Sequence, residues 1–284
     1  MLSTFDYFKP HSFEEAIGYL EKNDDTKILA GGTDLMILLR RNIENCQHIL
    51  DIKGIPDTKK FEYIPGEGLS IGAAVTANQV ANSQIIRKKY TALAQATDSL
   101  ASYQLRNRAT LVGNICNASP GADLAAPLLI FNAKVHIIGP QGKRIVQMDK
   151  FFTGVKQTIL EKDEIVMEIF IPEIEEGDVS IYLKQSRIKG HDLATVGSAI
   201  RLTKDKKPFI ALSAVAPTPI RLTELEGKIM SKGLTLELAN WVGKEIPNHI
   251  HPISDVRSSK DYRLHASSVL VKRGLMELLE RGIE

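Results

Sequence analysis

Phe13, Ala16, Ile17 and Leu20 recur at the spacing of one helix face, which predicts an amphipathic helix. Ser12 stands at its N-cap, with Glu15 three residues on, the form of a capping box. The short apolar run Ile28-Leu29-Ala30 then meets Gly31-Gly32-Thr33-Asp34, and Leu35 to Leu39 begin a second helix. The order is strand, glycine-rich turn, helix. His48 to Ile52 reads as a short strand. Leu69 to Val75 reads as a further extended segment behind the turn Pro65-Gly66-Glu67-Gly68. Asn78 to Ser99 reads mainly as helix.

From Ser102 to Asp123 the pattern changes. Asn, Gly, Ser and Thr dominate, yet apolar residues are interleaved, so the stretch reads as a long functional loop rather than a disordered one. Strands resume at Ala133 to Ile138 and Glu164 to Ile171, with a turn at Gly139-Pro140-Gln141-Gly142. The Pro, Glu, Gly and Asp crowded into Pro172 to Asp178 mark a domain boundary. Beyond it, Leu193 to Leu202 and Pro208 to Val215 read as strands of an antiparallel sheet. Arg221 to Gly233 and Thr235 to Glu245 read as helical or mixed, and Arg263 to Arg281 as a terminal helix.

Composition narrows the function classes. With 284 residues, 43% hydrophobic and 25% charged, the chain has the make-up of a soluble protein with one large domain or two ordinary ones. A net charge of +2 is too small to make nucleic acid or an anionic membrane the main partner. Apolar stretches such as Ala125 to Phe131 are too short to span a bilayer. No secretory signal opens Met1 to Pro10. Cys46 and Cys116 form neither a CxxC pair nor a disulfide framework, which fits a reducing cytoplasm. Two cysteines also cannot hold an iron–sulfur cluster, which usually needs four thiolates.

Two segments carry chemistry. A strand that runs into Gly31-Gly32-Thr33-Asp34 and on to a helix exposes backbone N–H groups suited to a phosphate or pyrophosphate, although a plain tight turn has the same composition. Thr110-Leu111-Val112-Gly113-Asn114 and the later Asp123 place hydroxyl, amide and carboxylate groups where a ribose would use them; a loop held by Asx-turns is the bland alternative. Lys184 and Arg187 could meet a phosphate or another anionic ligand, or form a solvated basic face. Gly66-Glu67-Gly68 fails the Rossmann spacing, and no P-loop, HExxH or GxSxG motif is present. His249 and His251 read as a solvated loop. His191-Asp192, if in a strand, point to opposite faces and are not an acid–base pair.

Taken together and in order, these segments resemble the flavin subunits of the molybdenum hydroxylases: bacterial xanthine dehydrogenases, carbon monoxide dehydrogenases and nicotinate dehydrogenases. The resemblance runs from Leu29-Ala30-Gly31-Gly32-Thr33-Asp34-Leu35 and Ile49-Leu50-Asp51-Ile52 through Gln104-Leu105-Arg106-Asn107 and Ala109 to Ala118. It continues through Asp123 and Pro127 to Ala216-Pro217-Thr218-Pro219-Ile220-Arg221 and Lys260-Asp261-Tyr262-Arg263. It implies an α+β, PCMH-type (vanillyl-alcohol-oxidase-like) FAD-binding fold over 1–174, in two subdomains split near 55. A C-terminal antiparallel sheet with helices would follow over 175–284.

It also implies that FAD is held by Ile28, Leu29, Ala30, Gly31, Gly32, Thr33, Asp34 and Leu35, with the pyrophosphate at the Gly31–Thr33 turn. Thr110, Leu111, Val112, Gly113, Asn114 and Asp123 would hold it too, with Leu100, Val166 and Lys184 near the flavin. Leu100 stands where some relatives place an aromatic residue. Many relatives have glycine at Val112; a valine there is strained if the position requires positive φ and fits if the segment is extended. The implied activity is electron transfer from two 2Fe–2S clusters on a small partner, fed by a molybdenum cofactor on a large partner, through FAD to NAD⁺. A dimer of heterotrimers is the implied assembly. No acid–base residue is expected in this chain, and Lys184 is expected to tune the flavin. The cysteines of the benzoyl-CoA reductase branch are missing. A heterocycle or aldehyde dehydrogenase subunit, a flavin-free scaffold subunit and a standalone PCMH oxidase are the alternatives.

Overall fold

The first expected helix forms as α1 (Phe13–Leu20), between β1 (Asp6–Phe8) and β2 (Thr26–Leu29), in a computed structural model that describes residues 4–281. Phe13, Ala16, Ile17 and Leu20 are its buried face, each large side chain contributing about 1.5–3 kcal/mol. Ser12 caps it by accepting from the Glu15 N–H at 3.1 Å. The capping box is only half made, because the Glu15 carboxylate accepts from the His11 N–H at 2.8 Å and not from Ser12. After α2 (Leu35–Arg40) comes β3 (His48–Asp51), which lies between β1 and β2 and pairs in parallel with both.

A second sheet follows. The hairpin β4 (Phe61–Ile64) and β5 (Gly68–Gly72) turns at Gly66, whose φ of +85° is open to glycine. Helices α3 (Ala77–Asn82), α4 (Gln84–Lys89) and α5 (Thr91–Ser99) come next. The stretch expected to be one long loop instead contains α6 (Tyr103–Arg106) and α7 (Leu111–Cys116). Hydroxyl caps start both: Ser102 accepts from Leu105 N–H and Thr110 from Gly113 N–H, so the polar residues that looked like loop are helix boundaries. The buried α8 (Ala125–Ile130), β6 (Lys134–Gly139), β7 (Gly142–Gln147), the short α9 (Met148–Phe151), the hairpin β8 (Phe152–Gly154) and β9 (Gln157–Thr158), and β10 (Ile165–Pro172) complete this part. The sheet order is β4-β5-β10-β6-β7.

The third sheet is antiparallel, in the order β11 (Val179–Gln185), β12 (Val196–Leu202), β13 (Pro208–Ser213), β14 (Ile220–Arg221). The expected strand from Leu193 begins only at Val196; His191 and Asp192 lie in the connecting loop, not in a strand. Helices α10 (Thr223–Lys232), α11 (Leu236–Glu245) and α12 (Lys260–Arg281) follow. α12 packs on β11 and β12, and Gly274 permits the approach, since a Cβ there would meet Ile200 Cδ1 at 2.7 Å. The opposite face packs on α5 and α8, so every residue of β12 is buried. Two side chains tie β11 to α5: the Ser180 hydroxyl accepts from Ala92 N–H at 3.1 Å, and the Gln95 amide oxygen from Tyr182 N–H at 2.7 Å. This docking carries Tyr182 and Lys184 toward the middle of the chain. Among the described residues no helix is long and apolar enough to cross a membrane.

Candidate functional site

The strand–turn–helix expected at Ile28 to Leu35 forms, with β2 ending at Leu29 and α2 beginning at Leu35. Gly32 has φ of +73°, the left-handed region where a side chain is disfavoured. Asp34 takes the N-cap position but makes no side-chain capping bond. Within the described residues the backbone N–H groups of Gly31, Gly32, Thr33 and Asp34 find no acceptor. Four consecutive free donors on half-exposed backbone are the makings of an anion cradle. With only six residues in α2, the local N–H groups matter more than the helix dipole.

Gly31 has a second reason to lack a side chain. A Cβ there would collide with the Arg108 carbonyl oxygen and reach Ala109 Cα at 3.0 Å. The missing atom lets the 108–114 segment lie against the turn, so two segments far apart in sequence form one wall. That segment is held in turn by Ala77 N–H donating to Ala109 O at 2.7 Å and by the Thr76–Thr110 bridge. Gly113 allows the Thr110 cap at 3.0 Å, because a Cβ there would meet Thr110 Oγ1 at 2.7 Å. Thr110→Val is expected to cost about 1 kcal/mol through the lost cap, read as a lower urea midpoint. Val112 is neither strained nor extended: it is a buried residue of α7 with helical backbone, so the departure from glycine fits the local structure. The side-chain oxygen of Asn114, Oδ1, is buried without a partner, an acceptor that a ligand can satisfy.

Asp123 lies beyond α7 and is the polar centre of the region. Lys184 Nζ donates to its Oδ2 at 3.0 Å and to Ser99 O at 3.1 Å, while the Tyr182 hydroxyl donates to Oδ1 at 2.8 Å. The Lys184 and Asp123 side chains are only 8% and 5% exposed, which rules out the solvated basic face for Lys184. Desolvation pushes the Asp123 carboxyl above its ordinary range, against the pull of Lys184 and Tyr182. The Tyr182 hydroxyl, desolvated and bound to that carboxylate, is pushed well above its own range and stays protonated. Gly197 makes room for it, since a Cβ would meet the Tyr182 oxygen at 2.7 Å.

The backbone around Asp123 is also unusual. Ala118, in the segment leading to Asp123, and Ala214, bonded to that segment, both have positive φ. Ala214 N–H donates to Pro120 O at 2.6 Å, and its own carbonyl accepts from the buried Arg263 guanidinium at 2.9 Å. Arg263 thereby braces the loop that carries Asp123 from the C-terminal helix.

Of the other expected residues, Leu100 ends α5 next to Ser99 and is half-buried. Val166 is buried in β10 beside a register shift that separates it from Glu168. Arg187 is not part of the centre: its half-exposed side chain pairs with Asp192 at 2.7 Å, so Asp192 has a structural partner and His191 stays exposed. Sequence reasoning missed Tyr182. Its available signal was the two-residue spacing from Lys184, which puts both on one face of a strand.

The free N–H groups, the orphaned Asn114 oxygen and the carboxylate–lysine centre fit a dinucleotide bearing a pyrophosphate and hydroxyl groups. Comparisons with known proteins give the family. The family model of the FAD binding domain in molybdopterin dehydrogenase matches residues 3–174, and that of the CO dehydrogenase flavoprotein C-terminal domain matches 181–278. The xanthine dehydrogenase FAD-binding subunit of Escherichia coli O157:H7 is 33% identical over 276 residues, 95% of this chain and 94% of that protein. The carbon monoxide dehydrogenase medium chain of Hydrogenophaga pseudoflava is 32% identical over 276 residues, 95% of this chain and 96% of its own length. A solved structure of carbon monoxide dehydrogenase from the same organism superposes with a TM-score of 0.92 at 32% identity, covering 97% of each chain. The chain therefore belongs to the FAD-binding subunits of the molybdenum hydroxylase family.

Proposed function

We propose that this chain is the flavin subunit of a xanthine dehydrogenase-type molybdenum hydroxylase. In this reading it takes electrons from 2Fe–2S clusters on a small subunit, which receive them from the molybdenum cofactor of a large subunit, and delivers them to NAD⁺. The observation that carries the FAD assignment is the run of unpaired N–H groups from Gly31 to Asp34, closed against the Thr110 segment by the missing Gly31 side chain. Ile28 to Leu35 and Thr110 to Asn114 line the dinucleotide. Asp123 accepts from its hydroxyl groups, and Leu100, Val166 and Lys184 stand at the flavin end. The FAD-binding unit spans 1–174 and the C-terminal unit 175–284.

Bound FAD supplies a centre that converts between one-electron and two-electron transfer. The protein's part is to bind, orient and tune. In this reading the Lys184 ammonium, held by Asp123 and Ser99, tunes the flavin as an oriented lysine–aspartate dipole, its charge largely balanced by Asp123. The nearly equal identities to subunits named for xanthine and for carbon monoxide suit a chain that never touches the hydroxylated substrate, so substrate choice rests with the large subunit. The assembly in this reading is a cytoplasmic dimer of heterotrimers.

The first test is the visible spectrum of the purified chain, with mass identification of the cofactor released on denaturation. About one FAD per chain and no iron is the expected result. A colourless chain that also fails to take up added FAD would leave a flavin-free scaffold as the better description. NADH formation by the reconstituted complex with the purine substrate tests the acceptor and the substrate together.

A further inference from the structure

Lys53 lies outside every segment assigned to the dinucleotide, yet it touches the turn. Its ammonium donates to the Ala30 carbonyl at 2.9 Å and pairs with Asp51 Oδ1 at 2.7 Å. Asp51 is 5% exposed and fully engaged: Tyr7 donates its hydroxyl to Oδ2 at 2.6 Å, and the Lys53 backbone N–H donates to Oδ1 at 3.0 Å. The Tyr7 hydroxyl is pushed up to about 12 by this bond, so it stays a donor. The Asp51 carboxylate, at the end of β3, thus holds the lysine at both its backbone N–H and its ammonium.

The consequence follows from peptide geometry. No peptide bond among the described residues is cis, so the Ala30 C=O and the Gly31 N–H point in opposite directions. Holding the carbonyl toward Lys53 turns the Gly31 N–H away from β3, and that N–H is the first of the four donors without an acceptor. Asp51 neutralises the ammonium, so Lys53 adds little net charge to the turn. Its effect is orientation.

We propose that Lys53, braced by Asp51 and Tyr7, is a positioning residue that aims the Gly31 N–H at the pyrophosphate of FAD; this rests on the assignment of the Gly31–Thr33 turn to that group. Without the lysine the Ala30–Gly31 peptide is free to rotate, and a charged ligand loses one preorganised donor.

The test titrates FAD into the flavin-stripped full-length chain by fluorescence quenching and follows the bound pyrophosphate by phosphorus NMR. Lys53→Met is expected to weaken FAD at least about 10-fold, the usual scale for a bond to a charged group. It should also move the phosphorus resonances, and Lys53→Arg should restore most of the affinity. Gly32→Asp is run beside it. If Gly32→Asp loses FAD while Lys53→Met keeps wild-type affinity and resonances, the Lys53 inference is overturned and the turn assignment stands. If Gly32→Asp keeps FAD, the turn assignment fails and takes the Lys53 inference with it. Should Lys53→Met fail to fold, Tyr7→Phe decides, because Tyr7 is 55% exposed and its loss only loosens the brace. A phosphorus spectrum in Tyr7→Phe identical to wild type then overturns the inference; a shift in the direction of weaker binding supports it.

Discussion

Lys184→Met is expected to destabilise the purified chain by about 3–5 kcal/mol at about pH 8, and by much less at about pH 5. The reason is Asp123. Lys184 and Tyr182 are the donors to its two oxygens, and the pair is almost fully excluded from water. Removing the lysine leaves a carboxylate in the interior with one neutral donor, which is the costly way to break a buried pair.

The pH dependence has a definite sign. In the fold the Asp123 carboxyl is raised by desolvation, with Lys184 pulling it down. A raised carboxyl contributes stability below its unfolded value and loses it as pH rises through its folded value. The variant lacks the pull of Lys184, so its carboxyl rises further. At acid pH the group is protonated and needs no cation, and the cost shrinks toward that of a lost hydrogen bond, about 1 kcal/mol. Tyr182 does not confuse the reading, since its hydroxyl remains protonated throughout. Urea denaturation at both pH values checks the prediction, and Lys184→Met with Asp123→Asn should recover much of the loss near pH 8. An equal cost at both pH values would mean that lost packing, not the orphaned charge, is responsible.

How much of this was legible beforehand depended on whether a feature is local. The 28–35 turn could be read because strand, glycine pair and helix follow one another within a few residues, and physics ties each to its neighbour. The same holds for α1, whose apolar face and Ser12 cap are written in consecutive turns. The stretch from Ser102 to Asp123 misled because serine and threonine favour both loops and helix starts; Ser102 and Thr110 turned out to be caps. β11 was missed because Val179 to Gln185 mixes Ser, Tyr, Lys and Gln among its apolar residues and is buried by α5 and α12 rather than by its own pattern. The Asp123 centre could be named one residue at a time, but its wiring could not. Tyr182 and Lys184 reach Asp123 across about sixty residues, through the docking of the third sheet on α5. Gly31 shows the same limit: its conflict with Arg108 arises only when two segments far apart in the sequence meet.

The second large effect is expected at the turn itself. Gly32→Asp should leave a folded chain that retains no FAD through purification, a loss of affinity of at least about 100-fold. Two costs combine. At φ of +73° any side chain is disfavoured by about 1–2 kcal/mol, and its Cβ meets Leu29 Cδ1 at 2.9 Å, a flexible atom that can move. The larger cost is the carboxylate, which would bring a negative charge to the four free N–H groups and claim them for itself. Gly32→Asn separates the two. Asparagine has nearly the same size and tolerates the left-handed region, so it carries the steric part without the charge. The asparagine variant should bind FAD weakly but measurably while the aspartate variant does not, and the gap should narrow at high salt as the repulsion is screened. Equal loss in both variants would make the turn a matter of backbone shape alone. Full occupancy in both would move the pyrophosphate elsewhere, and the free donors from Gly31 to Asp34 would then need only water.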